Sequence, residues 1–575
     1  MYFNSQGKEE VTYDAIVIGS GISGGWAAKE LTEKGLKTLV LERGRNVRHV
    51  VDYPTANLDP WDFPGRGRTP QEEIKKHYFK QNRTGYTISE YSKHWFVRDD
   101  LHPYQEEKRF DWMRGYHVGG RSIMWGRHSY RLSDLDFEAN ARDGIAVDWP
   151  IRYADIAPWY DYVERFAGIQ GMKEGLPQLP DGQFLPPIEL NCVEQHSREA
   201  IQKAFPERRL TIGRTAHLTA PNPKIHGNRG KCQFRNRCIR GCPYGAYFSS
   251  NASTLPAAEA TGNMTLRPNS IVHSIIYDKE AGKATGVRII DRETKETHEF
   301  YSRIIFLNAS ALGTTNILLN SANEEFPDGL GNSSGQLGHN LMDHHFRCGA
   351  SGTYDGFQDQ YYKGRRPTGF YIPRFRNVDG KTKMKDFIRG YGYQGGASRE
   401  NWMRGVRELD STLGADLKAE LIKPGPWRMG MTAFGECLPY YENKVTLDKD
   451  KLDAWGNPTL KIDCEFKENE KKMRPDMMAA AAEMLEAAGF KDIQTYDAGS
   501  WPGLGIHEMG TARMGRDSKT SVLNKWNQMH DLPNVYVTDG SCMTSAGCQN
   551  PSLTYMALTA RAADHAVKEL KKMNL

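Results

Sequence analysis

Three cysteines stand close together in Cys232-Gln-Phe-Arg-Asn-Arg-Cys238-Ile-Arg-Gly-Cys242-Pro243, a C-x5-C-x3-C-P spacing. Thiolates this near in sequence can converge on a soft metal, and a proline after the last cysteine also occurs in bacterial ferredoxin runs. Three ligands suit a [3Fe–4S] cluster, with Arg235, Arg237 and Arg240 placed to offset its negative charge. Zinc needs a fourth ligand, for which His226 or Cys192 is the candidate. A disulfide with one spare thiol is the third possibility. The remaining cysteines are mostly scattered, which argues for one local site rather than a disulfide framework.

A second chemical signal lies near the N-terminus. Gly19-Ser-Gly21-Ile-Ser-Gly24 fits G-x-G-x-x-G, with an apolar run (14–19) before it, a helical stretch (23–34) after it and a second apolar run (37–42) ending in Glu42. In such a βαβ unit Gly19 permits the tight turn, Gly21 lets the backbone approach a pyrophosphate and Gly24 lets helix and sheet pack closely. The helix N-terminus offers free N–H groups to phosphate, and Glu42 can hold ribose hydroxyls. Dinucleotide binding follows, without a choice between FAD and NAD.

The elements that must position these residues are spread along the chain. Residues 303–307 and 534–538 read as further buried strands, 264–299 as a β-meander, 149–168 and 473–488 as helices, and 551–570 as a closing helix. Residues 368–461 contain several strand-like stretches that predict a separate sheet. The predicted fold class is α/β: a discontinuous Rossmann-like dinucleotide domain (11–50, 110–130, 255–345 and 500–575) and a second α+β substrate domain on an antiparallel sheet (131–254 and 346–499). The cysteines fall in a loop-rich segment, 226–250, and 51–109 is a long excursion with few regular elements.

Composition narrows the function classes. The 575 residues are 39% hydrophobic and 26% charged, with a net charge of +5, too small for a dedicated nucleic-acid surface. No segment approaches the ~20 apolar residues of a membrane span. The N-terminus has neither a basic flank before an apolar stretch nor a twin arginine, so the chain is expected to carry no export signal of its own.

Two later segments, Gly505-Ile-His507-Glu-Met-Gly510-Thr-Ala-Arg-Met-Gly515 and Asn534-Val-Tyr-Val-Thr-Asp539-Gly540-Ser leading to Gln549-Asn550-Pro551, join Gly119-Gly120-Arg-Ser-Ile-Met-Trp125-Gly126 and the N-terminal fingerprint. Together they resemble the glucose–methanol–choline (GMC) oxidoreductase family over nearly the whole chain, and Ala311-Leu-Gly313-Thr-Thr-Asn-Ile-Leu-Leu319 resembles its second signature. The resemblance implies FAD, with Asp539 and Gly540 near the phosphate–ribityl part, Gly119 and Gly120 near the isoalloxazine, and His507 and Asn550 as a catalytic pair beside it. Neutral histidine can accept the hydroxyl proton of an alcohol as its hydride leaves, while a neutral amide holds the substrate oxygen. Asn550 as N-cap and Pro551 as first residue of the closing helix would aim its positive end at the flavin. Met124 stands about where some members carry a flavin-linked histidine, so the FAD is expected to be non-covalent.

Within the family the chain looks most like bacterial FAD-dependent sugar dehydrogenases, especially the glucoside 3-dehydrogenase type. That likeness implies oxidation of a secondary ring hydroxyl, electrons leaving through a [3Fe–4S] cluster on Cys232, Cys238 and Cys242 to a cytochrome c-type acceptor, and periplasmic export with a small signal-bearing subunit. The alternatives are a sugar oxidase using oxygen, a flavin-dependent lyase on the same fold, and a cytoplasmic location. Trp125, Trp402, Trp427 and Trp501 are candidates to stack on a sugar, though packing roles are favoured for each.

Overall fold

The computed structural model describes residues 12–360, 369–399 and 413–575. The N-terminal residues on which the export expectation rests, and Trp402, lie outside them.

β1 (Thr12–Ile18), α1 (Ile22–Glu33) and β2 (Thr38–Leu41) form the predicted βαβ unit. The strands pair in parallel with Ala15 opposite Thr38 and Ile18 opposite Leu41. Ile16, Val17 and Val40 are fully buried, as expected of strands covered on both faces. The other edge of β1 pairs in parallel with Thr297–Leu307. That long strand first meets the antiparallel meander through Lys283–Asp291 and then, at its C-terminal end, the short strand Val535–Val537. Met264–Arg267 and Ser270–Asp278 complete seven strands. Segments from both ends of the chain therefore build one sheet.

The final helix, Ser552–Lys571, packs on α1 through Ala562, Ala563, Ala566 and Val567 against Ala27, Ala28 and Leu31. Small side chains at this contact let the two helices approach closely over the sheet residues Ile304 and Phe306.

The second sheet is antiparallel throughout, in the order Lys491–Asp497, His344–Tyr354, Trp427–Glu436, Tyr391–Arg399, Phe370–Ile372 and Thr211–Ile212. Helix Glu468–Ala487 covers one face with Met473, Met477, Ala480, Met484 and Leu485. It begins five residues before the sequence-based boundary, with Glu468 and Glu470 in its first turn, where acidic side chains favour the helix dipole. The excursion 51–109 holds a helix at Gln71–His77, short 3-10 turns and a two-residue strand, Gln105–Glu106. It brings Tyr86, Thr87, Phe96 and His102 into the wall of the main cavity. Among the described residues no helix is long and apolar enough to cross a membrane.

Candidate active site

One continuous cavity of about 520 Å³ runs from the βαβ turn to inner strands of the second sheet. At one end lie Gly19, Ser20, Gly21, Glu42 and Arg43; at the other lie His507, Asn550, Gln394, Phe346 and Phe434.

At the first end each glycine has a steric reason. Gly19 turns with φ +97°, and a Cβ on it would sit 2.4 Å from the Asn308 carbonyl oxygen. A Cβ on Gly24 would sit 1.9 Å from the Gly19 oxygen, whereas one on Gly21 would meet nothing within 4 Å. The open face of Gly21 is thus the cavity side, where a phosphate can approach the start of α1. Glu42 is nearly fully buried, and its carboxylate accepts from Ser20 Oγ (2.5 Å), Ser20 N (3.2 Å) and Gly44 N (2.9 Å). Burial raises its pKa against the pull of those donors. Asn308 Oδ1 and the Tyr555 hydroxyl, both on cavity-lining residues, are buried without a hydrogen-bond partner, a state that costs stability unless a ligand or water fills it. A dinucleotide cradle with free acceptor and hydroxyl groups fits FAD. Gly24→Val forces backbone apart and should cost about 1–3 kcal/mol by overpacking. The purified variant should show depleted visible flavin absorbance and a lowered Tm; full flavin content at unchanged Tm would contradict this account.

Gly119 and Gly120 differ in their surroundings. Gly119 does not line the cavity: at φ +87° its Cβ position lies 1.6 Å from Asn251 Oδ1, and its N–H donates to Ser20 Oγ (3.0 Å). Gly120 lines the cavity, and a Cβ on it would lie 3.4 Å from Gly21 Cα. Asp539 and Gly540 do line the wall. Asp539 accepts from Ser541 N (3.0 Å), Ser541 Oγ and Thr314 Oγ1 (both 2.5 Å), and burial raises its pKa. Met124 and Trp125 line the cavity; Trp427 is core and Trp501 is exposed outside it.

At the far end His507 Nε2 and Asn550 Nδ2 lie 3.3 Å apart. The closing helix starts one residue later than its sequence suggests, with Pro551 as N-cap in a helical conformation. Asn550 therefore does not cap it. Its carboxamide is turned into the cavity, where Gln394 Nε2 donates to Oδ1 at 2.6 Å. Pro551 does not reach the wall, but Asn550, Ser552 and Tyr555 do, so the helix N-terminus opens on the cavity. Burial, then His344 and Arg121, hold the His507 imidazole well below its ordinary pKa, so it is neutral at neutral pH.

Sequence reasoning missed three contributors. Arg121 forms a two-point pair with Glu508 (3.1 and 2.7 Å) in the wall. Asp343 accepts from the N–H groups of Gly505 (2.9 Å) and His507 (3.0 Å), clamping the loop that carries the imidazole. His344 contacts His507 directly. None of the three lies in a local pattern that announces a partner far away in the chain.

Residues 13–346 match the N-terminal part of the GMC oxidoreductase family and 439–559 its C-terminal part. The chain belongs to this family. Relatives of this GMC oxidoreductase include 2-methyl-1,2-propanediol dehydrogenase from Mycolicibacterium austroafricanum, 30% identical over 96% of this chain and 94% of that protein. The fructose dehydrogenase large subunit of Gluconobacter japonicus is 25% identical over 98% and 99%, respectively. Paromamine 6'-oxidase of Streptomyces fradiae is 27% identical over 98% and 92%. Pyridoxine 4-oxidase from Mesorbium loti shares the fold, with a TM-score of 0.57 at 14% identity, covering 96% of this chain and 98% of that one.

The cysteine group of this GMC oxidoreductase departs from expectation. Among the described residues no three His, Cys, Asp or Glu side chains form a metal-holding group, so the cluster expectation finds no support in the side-chain geometry. Cys232, Cys238 and Cys242 are free, half-buried thiols. They are near enough that Cys238 and Cys242 add to the upward shift that burial gives Cys232. His226 has no free ring nitrogen for zinc: Nδ1 accepts from Asn222 N and Nε2 donates to the Arg165 carbonyl. Arg235 and Arg240 point away, to the carbonyls of Ala56 and Leu58, and Arg237 pairs with Asp59. The cations that feel these thiols are instead Arg127, near Cys232, and Arg229, near Cys242.

Proposed function

We propose that this protein is an FAD-dependent dehydrogenase that oxidises a secondary hydroxyl of a sugar or glycoside, at C3 to give a 3-keto sugar. The observation that carries the reading is the neutral His507 Nε2 facing Asn550 Nδ2 at 3.3 Å in the cavity end remote from the dinucleotide cradle. Bound FAD supplies the acceptor for the carbinol hydride. His507 takes the hydroxyl proton at Nε2, and Asn550 donates its Nδ2–H to the substrate oxygen, itself oriented by Gln394. Phe346 and Phe434, stacked at 5.1 Å, give that end an apolar wall that excludes water. The names of the relatives support an alcohol or sugar-like substrate: they include a fructose dehydrogenase, a paromamine oxidase and, over half of this chain, a C-glycoside 3-oxidase from Arthrobacter globiformis.

For the electron outlet we infer a [3Fe–4S] cluster on Cys232, Cys238 and Cys242, serving a cytochrome-type acceptor. Support comes from position: Ile239, inside the C-x5-C-x3-C run, lines the main cavity, while Phe234 and Tyr244 beside it are 44% and 45% exposed. The site therefore bridges cavity and surface. A small partner subunit and export with it are part of the same proposal, supported by relatives named as the large subunit and the flavoprotein of their dehydrogenases.

Anaerobic titration with glucose, methyl glucosides and disaccharides should bleach the flavin, and product NMR should show a ring ketone. No bleaching by any of them would reject the substrate class. Purified protein should contain about three irons per chain; iron-free protein with full dye-linked activity would remove the cluster. Peroxide formed in step with substrate oxidation would favour the oxidase alternative.

A further inference from the structure

His507 is held by a second imidazole. Met342 and Met509 exchange backbone hydrogen bonds in both directions, each 2.9 Å. This isolated antiparallel bridge lies two residues from both His344 and His507. His344 Nδ1 and His507 Nδ1 are 2.8 Å apart, with the rings edge-on at 81°. His344 Nε2 lies 2.8 Å from the carbonyl oxygen of Gly547, three residues before Asn550. One fully buried ring thus ties together the two segments that carry His507 and Asn550.

Hydrogen-bond chemistry fixes where the protons sit. A carbonyl oxygen only accepts, so His344 Nε2 must carry the hydrogen. Burial pushes the His344 pKa down to about 4, so the ring is neutral and its Nδ1 holds a lone pair. An acceptor at that position requires a donor opposite, and among the described residues the group there is His507 Nδ1. In neutral His507 the lone pair is then on Nε2, the nitrogen that faces the Asn550 amide. The Asn550 orientation agrees, because Gln394 donates to its oxygen and leaves the NH2 toward Nε2.

We propose that His344 is a positioning residue that holds His507 as the Nδ1–H tautomer, leaving Nε2 as the nitrogen that accepts the substrate proton. A carboxylate usually fills this supporting place behind a catalytic imidazole. A neutral imidazole orients the ring equally well but adds no negative charge to raise its basicity, and it leaves the proton acceptor uncharged at rest. The inference rests on His507 being the base.

The test compares wild type, His344→Gln, His344→Leu and His507→Ala, all loaded with FAD, by anaerobic stopped-flow flavin reduction with the sugar that bleaches the wild type best. Glutamine can donate from its NH2 to Gly547 and accept from His507 through its oxygen; leucine can do neither. His344→Leu should reduce flavin about 100-fold more slowly at an unchanged substrate dissociation constant, and His344→Gln within about 10-fold of wild type. Normal reduction by His344→Leu, with His507→Ala inactive, overturns the inference alone. Normal reduction by His507→Ala overturns the underlying base assignment instead. A measurement on unmutated protein guards against a misfolded leucine variant. Long-range 1H–15N NMR of histidine-labelled wild type, assigned with the two position-specific variants, should show His507 protonated at Nδ1 and His344 at Nε2, and a His507 signal protonated at Nε2 would refute the proposal.

Discussion

Replacing His507 with alanine should slow flavin reduction by substrate about 1,000-fold, the middle of the range for a positioned general base, while FAD stays bound. The two effects separate because different atoms carry them. Hydride leaves a carbinol carbon readily only when the hydroxyl proton leaves as well, and in this cavity end His507 Nε2 is the neutral lone-pair nitrogen within reach of Asn550. The cradle is built from Gly19, Gly21, Glu42 and Asp539, at the other end of the cavity or along its wall. The backbone around His507 is retained too, since the Met342–Met509 bonds and the Asp343 clamp on the 505 and 507 N–H groups involve main-chain atoms of the loop. Anaerobic stopped-flow reduction, read beside the visible flavin spectrum, checks both halves. Near-normal reduction would remove the base assignment, and a colourless variant would show that the loop also holds the cofactor.

Mild acid should destabilise the holoenzyme well before ordinary carboxylates titrate. Eight imidazoles are held neutral by burial: His94, His117 and His344 shifted down to about 4, His128 and His345 to about 3, and His102, His217 and His507 well below normal. In the unfolded chain each protonates near pH ~6.5. Between that value and the folded one, the unfolded state binds more protons, so stability falls as pH falls. One unit below the unfolded pKa, each imidazole costs ~1.4 kcal/mol. Buried carboxyls act in the opposite sense, among them Glu42, Glu470 and Asp539, whose pKa values burial raises. Asp343, pushed up to about 7, and Asp136, pushed up to about 6, take up protons in the folded state first and gain stability over the same interval. The eight imidazoles outnumber these five carboxyls, which leaves a net loss of several kcal/mol. With an unfolding entropy of ~2.1 cal/mol/K per residue, a chain this long should lose roughly 5 °C in Tm between about pH 7.5 and about pH 5.5. Calorimetry at the two pH values decides it; a flat or rising Tm would mean that the imidazoles are not neutral in the folded protein.

The parts legible in the sequence are those whose physics is local. Gly19, Gly21 and Gly24 report a turn, a phosphate approach and a helix–sheet contact through spacing alone, short apolar runs mark β1 and β2, and helical apolar spacing marks the closing helix. Boundaries are less legible, because a helix end depends on where the first helical hydrogen bond falls: Pro551 accepts it from Tyr555, so Asn550 is freed from capping and turns its carboxamide to the cavity. The Gly119 position has a similar history. Its need for glycine is real, but the neighbour that imposes it is Asn251, which no short motif connects to it.

What the residues determined by themselves is a dinucleotide cradle, which rests on residue type and short spacing; the histidine–asparagine pair was implied by the resemblance of its motifs to the GMC oxidoreductase family. Only the tertiary structure decided that Asn550 faces His507, that Cys232, Cys238 and Cys242 run beside the main cavity, and that His344 stands behind the base. The reason is register: a one-residue slip at the bridge between Met342 and Met509 would turn His344 to the opposite face, and that pairing joins segments more than 160 residues apart.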